Sequence, residues 1–263
     1  MKKVECIIMD WAGTAVDFGC FAPVGAFIKA FEEKGLRLTV DEVRRPMGKA
    51  KVEHIRTLLE MGHISSQFAD IYRREWNTED VLEINESFER HLFLTLDRYA
   101  TPIPGVVEAI ETLRRQGIKI GSTTGYTRAM MDVVQTEAAK KGYTVDSCIT
   151  PDGLPAGRPA PFMIFCNMIN LNVHDLDCVV KTGDTIEDIR EGLQAKVHTV
   201  GVITGSSELG LSAGEIGALP EEELSEKMRT VRNRMLQAGA HHVIDSIGEL
   251  PRLIHFINST YPA

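Results

Sequence analysis

The sequence predicts an α/β fold in which a doubly wound parallel sheet carries an inserted helical domain. Short apolar segments typical of buried strands alternate with helical patterns through most of the 263 residues. Polar, glycine-containing segments follow the predicted strands, which is where open α/β sheets place their sites. Between 21 and 99 the alternation stops and only helical patterns occur.

Buried parallel strands are predicted for short apolar segments that are bounded by polar or glycine residues. These segments are 4–9, 118–122, 178–181, 197–202 and, with a weaker pattern, 241–244. Helical patterns lie between them, at 106–115, 128–141, 161–170, 186–194 and 221–237. Strands that alternate with helices in this way place helices on both faces of one sheet.

The stretch from 21 to 99 is predicted to be a separate helical domain. Its helical patterns lie at 26–34, 52–59, 68–74 and 80–94, and no strand pattern separates them. A return segment that contains Pro102 and Pro104 suits a linker back to the sheet. We therefore expect a core domain formed by 1–20 and 100–263, interrupted by a helical cap domain at 21–99.

Composition and charge exclude several classes of protein. A hydrophobic fraction of 43% and a charged fraction of 25% exclude extensive disorder. The net charge of −8 argues against nucleic acid as a partner, and a phosphorylated ligand would need a metal or clustered donors. No apolar run reaches the ~18 residues of a membrane span. Near the first residue, Glu5 and Asp10 interrupt the apolar stretch that a signal peptide would need. We expect a cytoplasmic protein with no membrane contact, whose five scattered cysteines are free thiols.

Residues suited to phosphoryl chemistry follow several of the predicted strands. Asp10 and Asp184 follow different strands, so their carboxylates can share a hard divalent cation such as Mg²⁺. That metal would screen a phosphoryl group from the negative protein and make attack by Asp10 feasible. The Thr124 hydroxyl and the Gly125 amide can donate to phosphoryl oxygens, and Arg158 can neutralise one more.

Each of these residues alone also has an ordinary structural explanation. The D-x-x-G-T sequence at Asp10 is common in turns, and the G-D-T sequence at Asp184 fits a helix N-cap. Asp188 could simply stabilise the first turn of that helix, and Arg158 could be a surface cation. Taken together and in this order, the segments resemble the haloacid dehalogenase-like hydrolases over about 1–19 and 101–205. The resemblance implies a Rossmann-like core, an aspartate nucleophile and Mg²⁺.

Two features narrow the chemistry further. Most phosphatases and mutases of that superfamily have a second aspartate two residues after the nucleophile as general acid, and this chain has Ala12 there. A simple phosphate-ester hydrolase is therefore a poorer fit.

In the predicted cap, Lys51 and His54 are three residues apart and share a helix face. A lysine beside a proton carrier suits imine chemistry if burial lowers its pKa, although solvated surface lysines show the same spacing.

The block around Lys51 resembles the phosphonatase family within that superfamily. Further matching segments span nearly the whole chain: D-W-A-G-T at Asp10, R-P-M-G at Arg45, S-T-T-G-Y at Ser122, A-G-R-P at Ala156 and G-S-S-E-L-G-L at Gly205. The resemblance implies Asp10 as the nucleophile and Lys51 as the Schiff-base lysine. It also implies three sets of residues: the metal ligands Asp10, Ala12 (through its carbonyl) and Asp184; the phosphate-binding residues Thr124, Gly125 and Arg158; and His54, Tyr126 and Met47 around the lysine. Thr14, Cys20 and Asp188 are expected to support these residues.

The implied reaction is Mg²⁺-dependent hydrolysis of a small phosphonate substrate, phosphonoacetaldehyde, to acetaldehyde and phosphate. An imine on Lys51 would accept electrons as carbon leaves phosphorus, so the leaving enamine needs no acid at Ala12. The family context also implies a homodimer and a role in 2-aminoethylphosphonate degradation. Two alternatives stay open: a phosphatase or phosphoglucomutase-like enzyme in which Lys51 only binds substrate, and a non-catalytic phosphate-binding or regulatory protein on the same fold.

Overall fold

The computed structural model describes residues 2–260 and contains a six-stranded parallel sheet. Its strands are β1 (Cys6–Met9), β2 (Lys119–Thr123), β3 (Ser147–Ile149), β4 (Val179–Gly183), β5 (His198–Val202) and β6 (His242–Ile244). They lie in the order β3-β2-β1-β4-β5-β6, so the chain builds one half of the sheet from β1 outwards and then returns to build the other. Met9 pairs with Ser122 on one side and Thr182 on the other. The residues that follow β1, β2 and β4 therefore emerge side by side at a topological switch point.

Between β1 and β2 the described residues form helices and no strand, which confirms the predicted helical insertion. These helices are α1 (Phe21–Glu32), α2 (Val40–Arg44), α3 (Lys51–Leu59), α4 (Gly62–Tyr72), α5 (Thr78–Phe93) and α6 (Leu96–Tyr99). We call residues 21–99 the cap. The helix predicted at 52–59 begins at Lys51, and α1 begins at Phe21 rather than at Ala26.

The remaining helices pack beside the sheet, and most match the predicted segments. They are α7 (Val106–Arg115), α8 (Arg128–Ala139), α9 (Phe162–Asn170), α10 (Ile186–Gln194), α11 (Ala213–Ala218), α12 (Glu221–Gln237) and α13 (Leu250–Thr260). The sequence patterns did not reveal β3, α11 or α13. β3 has only three residues and pairs with β2 alone, so long-range pairing rather than local sequence defines it.

The apolar core covers both faces of the sheet. Along β1, Ile7 and Met9 join a cluster that continues into the cap, while Cys6 and Ile8 join a cluster under α9. This alternation follows from the period of two in a strand. Inside the cap, the Phe27 ring stacks on another buried ring with centroids 4.1 Å apart. No helix among residues 2–260 combines the length and the apolar character that a membrane crossing needs.

Candidate active site

A cavity lies at the carboxyl ends of β1, β2 and β4, where the cap meets the sheet. The strands bring Asp10 and Asp184 to it, although these residues are far apart in sequence. The cavity is lined by Asp10, Ala12, Cys20, Pro23, Met47, Gly48, Lys51, Thr124, Gly125, Tyr126, Arg158, Asp184 and Thr185. Of the predicted site residues, only Thr14, His54 and Asp188 stand outside this lining.

Three carboxylates cluster beside the cavity. One oxygen from each of Asp10, Asp184 and Asp188 lies within 4.8 Å of the other two. Asp10 is 5% exposed and the other two are fully buried. Burial, followed by repulsion from the neighbouring carboxylates, raises the pKa of Asp184 well above its usual range. Burial also raises the pKa of Asp10, against the opposing effect of Arg158. A cation among these oxygens would favour their ionised forms.

The turn after β1 positions Asp184. The Thr14 hydroxyl donates to Asp184 Oδ1 at 3.1 Å, and the Ser207 amide donates to Oδ2 at 2.8 Å. Gly13 has a φ of +91°, and a Cβ there would stand 2.3 Å from Oδ2. Only glycine therefore allows this turn to approach the second carboxylate so closely. Thr14 acts on the site through Asp184.

Asp188 caps its helix and also forms ion pairs with two cations. Its backbone and side chain form a reciprocal capping box with Thr185, so the carboxylate stabilises the first turn of α10. Its Oδ1 lies 3.0 Å from Arg158 Nη1 and 2.8 Å from Lys181 Nζ. Burial would raise the pKa of Asp188, but Arg158 and Lys181 together hold it below its usual range.

Arg158 is not a surface cation. Its side chain is 2% exposed, and Nη2 lies 2.6 Å from Asp10 Oδ1. Nη2 also donates to the Thr123 carbonyl at 2.7 Å, while Nε lies 3.1 Å from Glu191. The guanidinium thus holds the candidate nucleophile and lines the cavity at the same time.

Sequence reasoning missed Lys181 and Glu191. Lys181 is fully buried within β4, and its Nζ lies 2.8 Å from Asp188 and 3.4 Å from Glu191. It also donates to the Thr123 hydroxyl at 3.0 Å, and that hydroxyl donates to Glu191 at 3.0 Å. The signal in the sequence is a lysine inside an apolar strand, because a buried ammonium requires a charged partner.

The buried charges at this site do not balance. Among the described residues they are Asp10, Asp184, Asp188, Glu191, Arg158 and Lys181. When all of them are ionised, four negative charges face two positive ones, and the Lys51 ammonium on the cavity wall can offset one more. At least one negative charge therefore remains without a partner, and uncompensated buried charge is strongly unfavourable. The atoms that cluster here are carboxylate oxygens, which suit a hard divalent cation. The residues therefore fit a divalent metal.

Lys51 reaches the cavity from the first turn of α3. Its Nζ lies 5.2 Å from the ring centre of Tyr126 and 5.8 Å from those of Phe27 and Phe88. A Cβ added at Gly125 would stand 3.8 Å from Nζ, so the amine lies beside the predicted phosphate-binding loop. Burial lowers the pKa of Lys51 to about 8. This amine is not that of a freely solvated surface lysine.

Comparison with known proteins assigns the chain to a family. Residues 4–196 match the family model described as haloacid dehalogenase-like hydrolase. Phosphonoacetaldehyde hydrolase of Bacteroides fragilis is 60% identical over 259 residues, which are 98% of each chain. The chain belongs to the phosphonoacetaldehyde hydrolase family of haloacid dehalogenase-like hydrolases. Phosphonoacetaldehyde hydrolase of Parabacteroides distasonis is 54% identical, again over 98% of each chain.

A solved structure agrees with this assignment. A phosphonoacetaldehyde hydrolase-like protein from Oleispira antarctica superposes with a TM-score of 0.95 at 36% identity, over 98% of this chain and 93% of that one. The resemblance to the phosphonatase family that the sequence indicated is confirmed, and the protein is a hydrolase.

His54 lies behind the cavity in this phosphonoacetaldehyde hydrolase family member. It is fully buried, its Nε2 is 2.9 Å from the Val43 carbonyl, and its ring stacks on Phe27 at 4.0 Å. Burial, reinforced by Lys51, lowers the pKa of His54 well below its usual range, so the ring is neutral. Since the neutral ring donates from Nε2, Nδ1 is left as an acceptor, and it has no partner among residues 2–260.

The remaining predicted residues line the cavity from both sides of the interface. Cys20 and Met47 come from the segments that enter and follow the first cap helices, and Tyr126 comes from the loop after β2. The Tyr126 amide donates to the Thr124 hydroxyl at 3.1 Å, which leaves the hydroxyl proton free to donate to a ligand. Burial raises the pKa of both Tyr126 and Cys20 well above their usual ranges, so both are protonated.

Proposed function

We propose that the enzyme hydrolyses the carbon–phosphorus bond of phosphonoacetaldehyde, through an imine on Lys51 and an aspartyl phosphate on Asp10. The observation that carries the proposal is that a lysine with a lowered pKa and a buried aspartate line one cavity, although one comes from the cap and the other from the sheet. The names of relatives at 60% and 54% identity support the substrate.

The first step is attack of the Lys51 amine on the aldehyde carbon, with loss of one water. Only the neutral amine is nucleophilic. A pKa of about 8 makes about one tenth of the lysine neutral at pH 7, against about 3 in 10,000 for an unperturbed lysine. The surrounding rings of Phe27, Phe88 and Tyr126 exclude water from the amine and so maintain this reactive fraction.

The second step is in-line attack of an Asp10 oxygen on phosphorus. The electrons of the carbon–phosphorus bond move into the protonated imine, and carbon leaves as a neutral enamine. This leaving group requires no proton at the moment of cleavage, so Ala12 replaces the acid found in ester-cleaving relatives of the superfamily without loss. Arg158, which already contacts Asp10 at 2.6 Å, stabilises the developing negative charge together with Thr124 and the Gly125 amide.

Asp10, the Ala12 carbonyl and Asp184 are the residues that we propose hold Mg²⁺. When bound, Mg²⁺ would supply positive charge that screens the phosphoryl oxygens from the carboxylates. The excess of negative over positive groups in the buried cluster and its carboxylate oxygens support a divalent ion of this kind.

The cycle closes with two hydrolyses. Water cleaves the aspartyl phosphate, which releases phosphate and restores Asp10. The enamine takes a proton on carbon, and water then hydrolyses the resulting imine to acetaldehyde and the free Lys51 amine. Imine hydrolysis takes up the equivalent of the water that imine formation released, so one water is consumed overall, in the cleavage of the aspartyl phosphate. We propose that Tyr126, which lines the cavity, and His54, which lies behind it, relay protons during imine formation on Lys51.

Cap and core are proposed to move as domains, with the core at 1–20 and 100–263 and the cap at 21–99. Because Lys51 belongs to the cap and Asp10 to the core, closure would assemble the reactive pair and exclude water.

We further propose a homodimer and a role in the degradation of 2-aminoethylphosphonate. Light scattering after size exclusion gives the solution mass and tests the dimer directly.

Borohydride trapping tests the function. With phosphonoacetaldehyde and borohydride, the wild type should become covalently labelled on Lys51, and without borohydride it should release phosphate and acetaldehyde. Lys51→Arg keeps the charge but cannot form an imine, so labelling and phosphonate cleavage should fall to background. Lys49→Arg is the matched control, because the Lys49 amine contacts Thr57 and stands outside the cavity lining. Cleavage retained in Lys51→Arg would overturn the imine mechanism.

A further inference from the structure

We propose that Arg44 in the cap is a positioning residue that couples cap closure to the carboxylate of Asp184. The inference rests on the proposed function, because Asp184 belongs to the same site. Arg44 is the last residue of α2, and its side chain crosses to the core. There, Nη1 donates to the Gly19 carbonyl at 2.8 Å and to the Ser207 carbonyl at 3.2 Å.

Ser207 connects this cap arginine to the site. Its carbonyl accepts from Arg44, while its amide donates to Asp184 Oδ2 at 2.8 Å. Ser207 is 3% exposed, and the turn around it is braced because the Leu209 amide donates to the Ser206 hydroxyl at 2.9 Å. A braced turn that is held on one side by the cap and on the other by a carboxylate transmits the position of one to the other.

The other contacts of Arg44 fix it at the junction of the cap and the core. Its guanidinium lies 5.0 Å from the ring centre of Phe21, the first residue of α1. A Cβ added at Gly210 would stand 3.1 Å from Nε, so the side chain also packs against the loop that contains Ser207. Gly19 lies where the chain leaves the core for the cap, and its amide donates to the Gly205 carbonyl at 2.7 Å. Arg44 can make these contacts together only while α2 lies against the core.

The consequence of losing Arg44 differs from simple destabilisation. Without its donors, the Ser207 turn loses its link to the cap, and Asp184 retains Thr14 as a fixed partner but has a less constrained second one. Partners of this kind orient metal ligands, and their loss commonly weakens metal binding about 10- to 100-fold. Imine formation on Lys51 requires no contact with Asp184, so trapping should survive. The expected signature is weakened metal binding with intact trapping.

The test uses purified full-length Arg44→Met, Arg44→Lys and Arg37→Ala. Methionine keeps packing against Phe21 but removes every donor, whereas the lysine ammonium can donate to both carbonyls. Arg37 is the control, since it is an exposed cap arginine whose side chain makes no hydrogen bond or ion pair within residues 2–260. Mn²⁺ binding is measured by electron paramagnetic resonance, alongside borohydride trapping and thermal unfolding. We expect about 10-fold weaker Mn²⁺ binding in Arg44→Met, substantial recovery in Arg44→Lys and no change in Arg37→Ala.

A second measurement uses the wild type alone, so it does not depend on how a variant folds. Because coupling is reciprocal, Mn²⁺ should slow hydrogen exchange in α2 as well as in the Ser207 turn. The role of Arg44 would be overturned if folded Arg44→Met bound Mn²⁺ with wild-type affinity. It would also be overturned if Mn²⁺ left the rate of hydrogen exchange in α2 of the wild type unchanged. A wild type that neither traps substrate nor releases phosphate would instead overturn the proposed function, and the Mn²⁺ measurements would still decide whether Arg44 acts on Asp184.

Discussion

Arg158 Nη2 lies 2.6 Å from Asp10 Oδ1, and the two side chains are 2% and 7% exposed. The candidate nucleophile is therefore paired with a fixed cation. A phosphoryl group that enters the site would share this guanidinium with Asp10. Since Asp188 and Glu191 hold the other nitrogens of Arg158, the direction in which the guanidinium points depends on residues outside the cavity.

Lys181→Met is expected to destabilise the fold strongly. It removes the cation that lies 2.8 Å from Asp188 and 3.4 Å from Glu191, and leaves buried negative charge behind. Breaking a buried pair in this way typically lowers the free energy of unfolding by about 3–5 kcal/mol. Chemical denaturation measures the change. Lys227→Met is the control, because Lys227 is 45% exposed in a surface pair with Glu223 and should change stability by about 0.5 kcal/mol or less. A loss in Lys181→Met as small as that of the control would contradict this expectation.

Imine formation should speed up as the pH rises through about 8. Burial lowers the pKa of Lys51 to about 8, and the neutral amine that reacts is the form favoured above that pH. The initial rate of borohydride trapping in Asp10→Asn isolates this step, since that variant cannot take the phosphoryl group. Asp10 acts to raise the pKa of Lys51, so its neutralisation should leave the midpoint at or below about 8. A midpoint near the ordinary lysine value of 10.5 would show that the amine is solvated during the reaction.

Ala12→Asp should weaken phosphonate cleavage and favour ester cleavage. The new carboxylate would stand on the cavity wall near Asp10 and Asp184, where added negative charge repels the phosphoryl group. We expect kcat/KM for phosphonoacetaldehyde to fall about 10-fold or more, equivalent to about 1.4 kcal/mol. Hydrolysis of p-nitrophenyl phosphate should become measurable, because the protonated form supplies a general acid. Ala12→Asn has nearly the same shape without the acid and should gain no ester hydrolysis. Unchanged phosphonate kinetics in Ala12→Asp would undercut the explanation of Ala12.

Gly48→Ala should impair catalysis by preventing close approach of the cap. Gly48 has a φ of +91°, and a Cβ there would stand 2.6 Å from Thr185 Oγ1 and 2.9 Å from Glu187 Cβ. Because a displacement of about 1 Å at the reacting groups can reduce the rate about 100-fold, we expect a fall in kcat/KM of about that size. Gly62→Ala provides the control, as nothing lies within 4 Å of its added Cβ. Steady-state phosphate release compares the two, and equal activity would show that this contact does not limit closure.

The chemistry of the site could be predicted from the sequence because it depends on residue types at fixed positions along the chain. Asp10, Thr124 and Asp184 each follow an apolar strand, and parallel strands necessarily deliver such residues to one edge. Ala12 and Lys51 likewise distinguished this family from ester-cleaving relatives, since one lacks an acid and the other offers an amine. The helical character of the cap followed from local periodicity alone.

Only the tertiary structure decided which charges meet and how far they are desolvated. The sequence was also compatible with a surface position for Arg158, whereas the structure places its guanidinium against Asp10. Lys181 had no predicted role, and it pairs with Asp188 because β4 packs against α10. The link from Arg44 through Ser207 to Asp184 joins three segments that no local pattern relates. Electrostatic energy and pKa depend on distance and solvent exposure in space. Several of the contacts that set them join distant parts of the chain, such as Arg158 with Asp10 and Thr14 with Asp184, each more than a hundred positions apart.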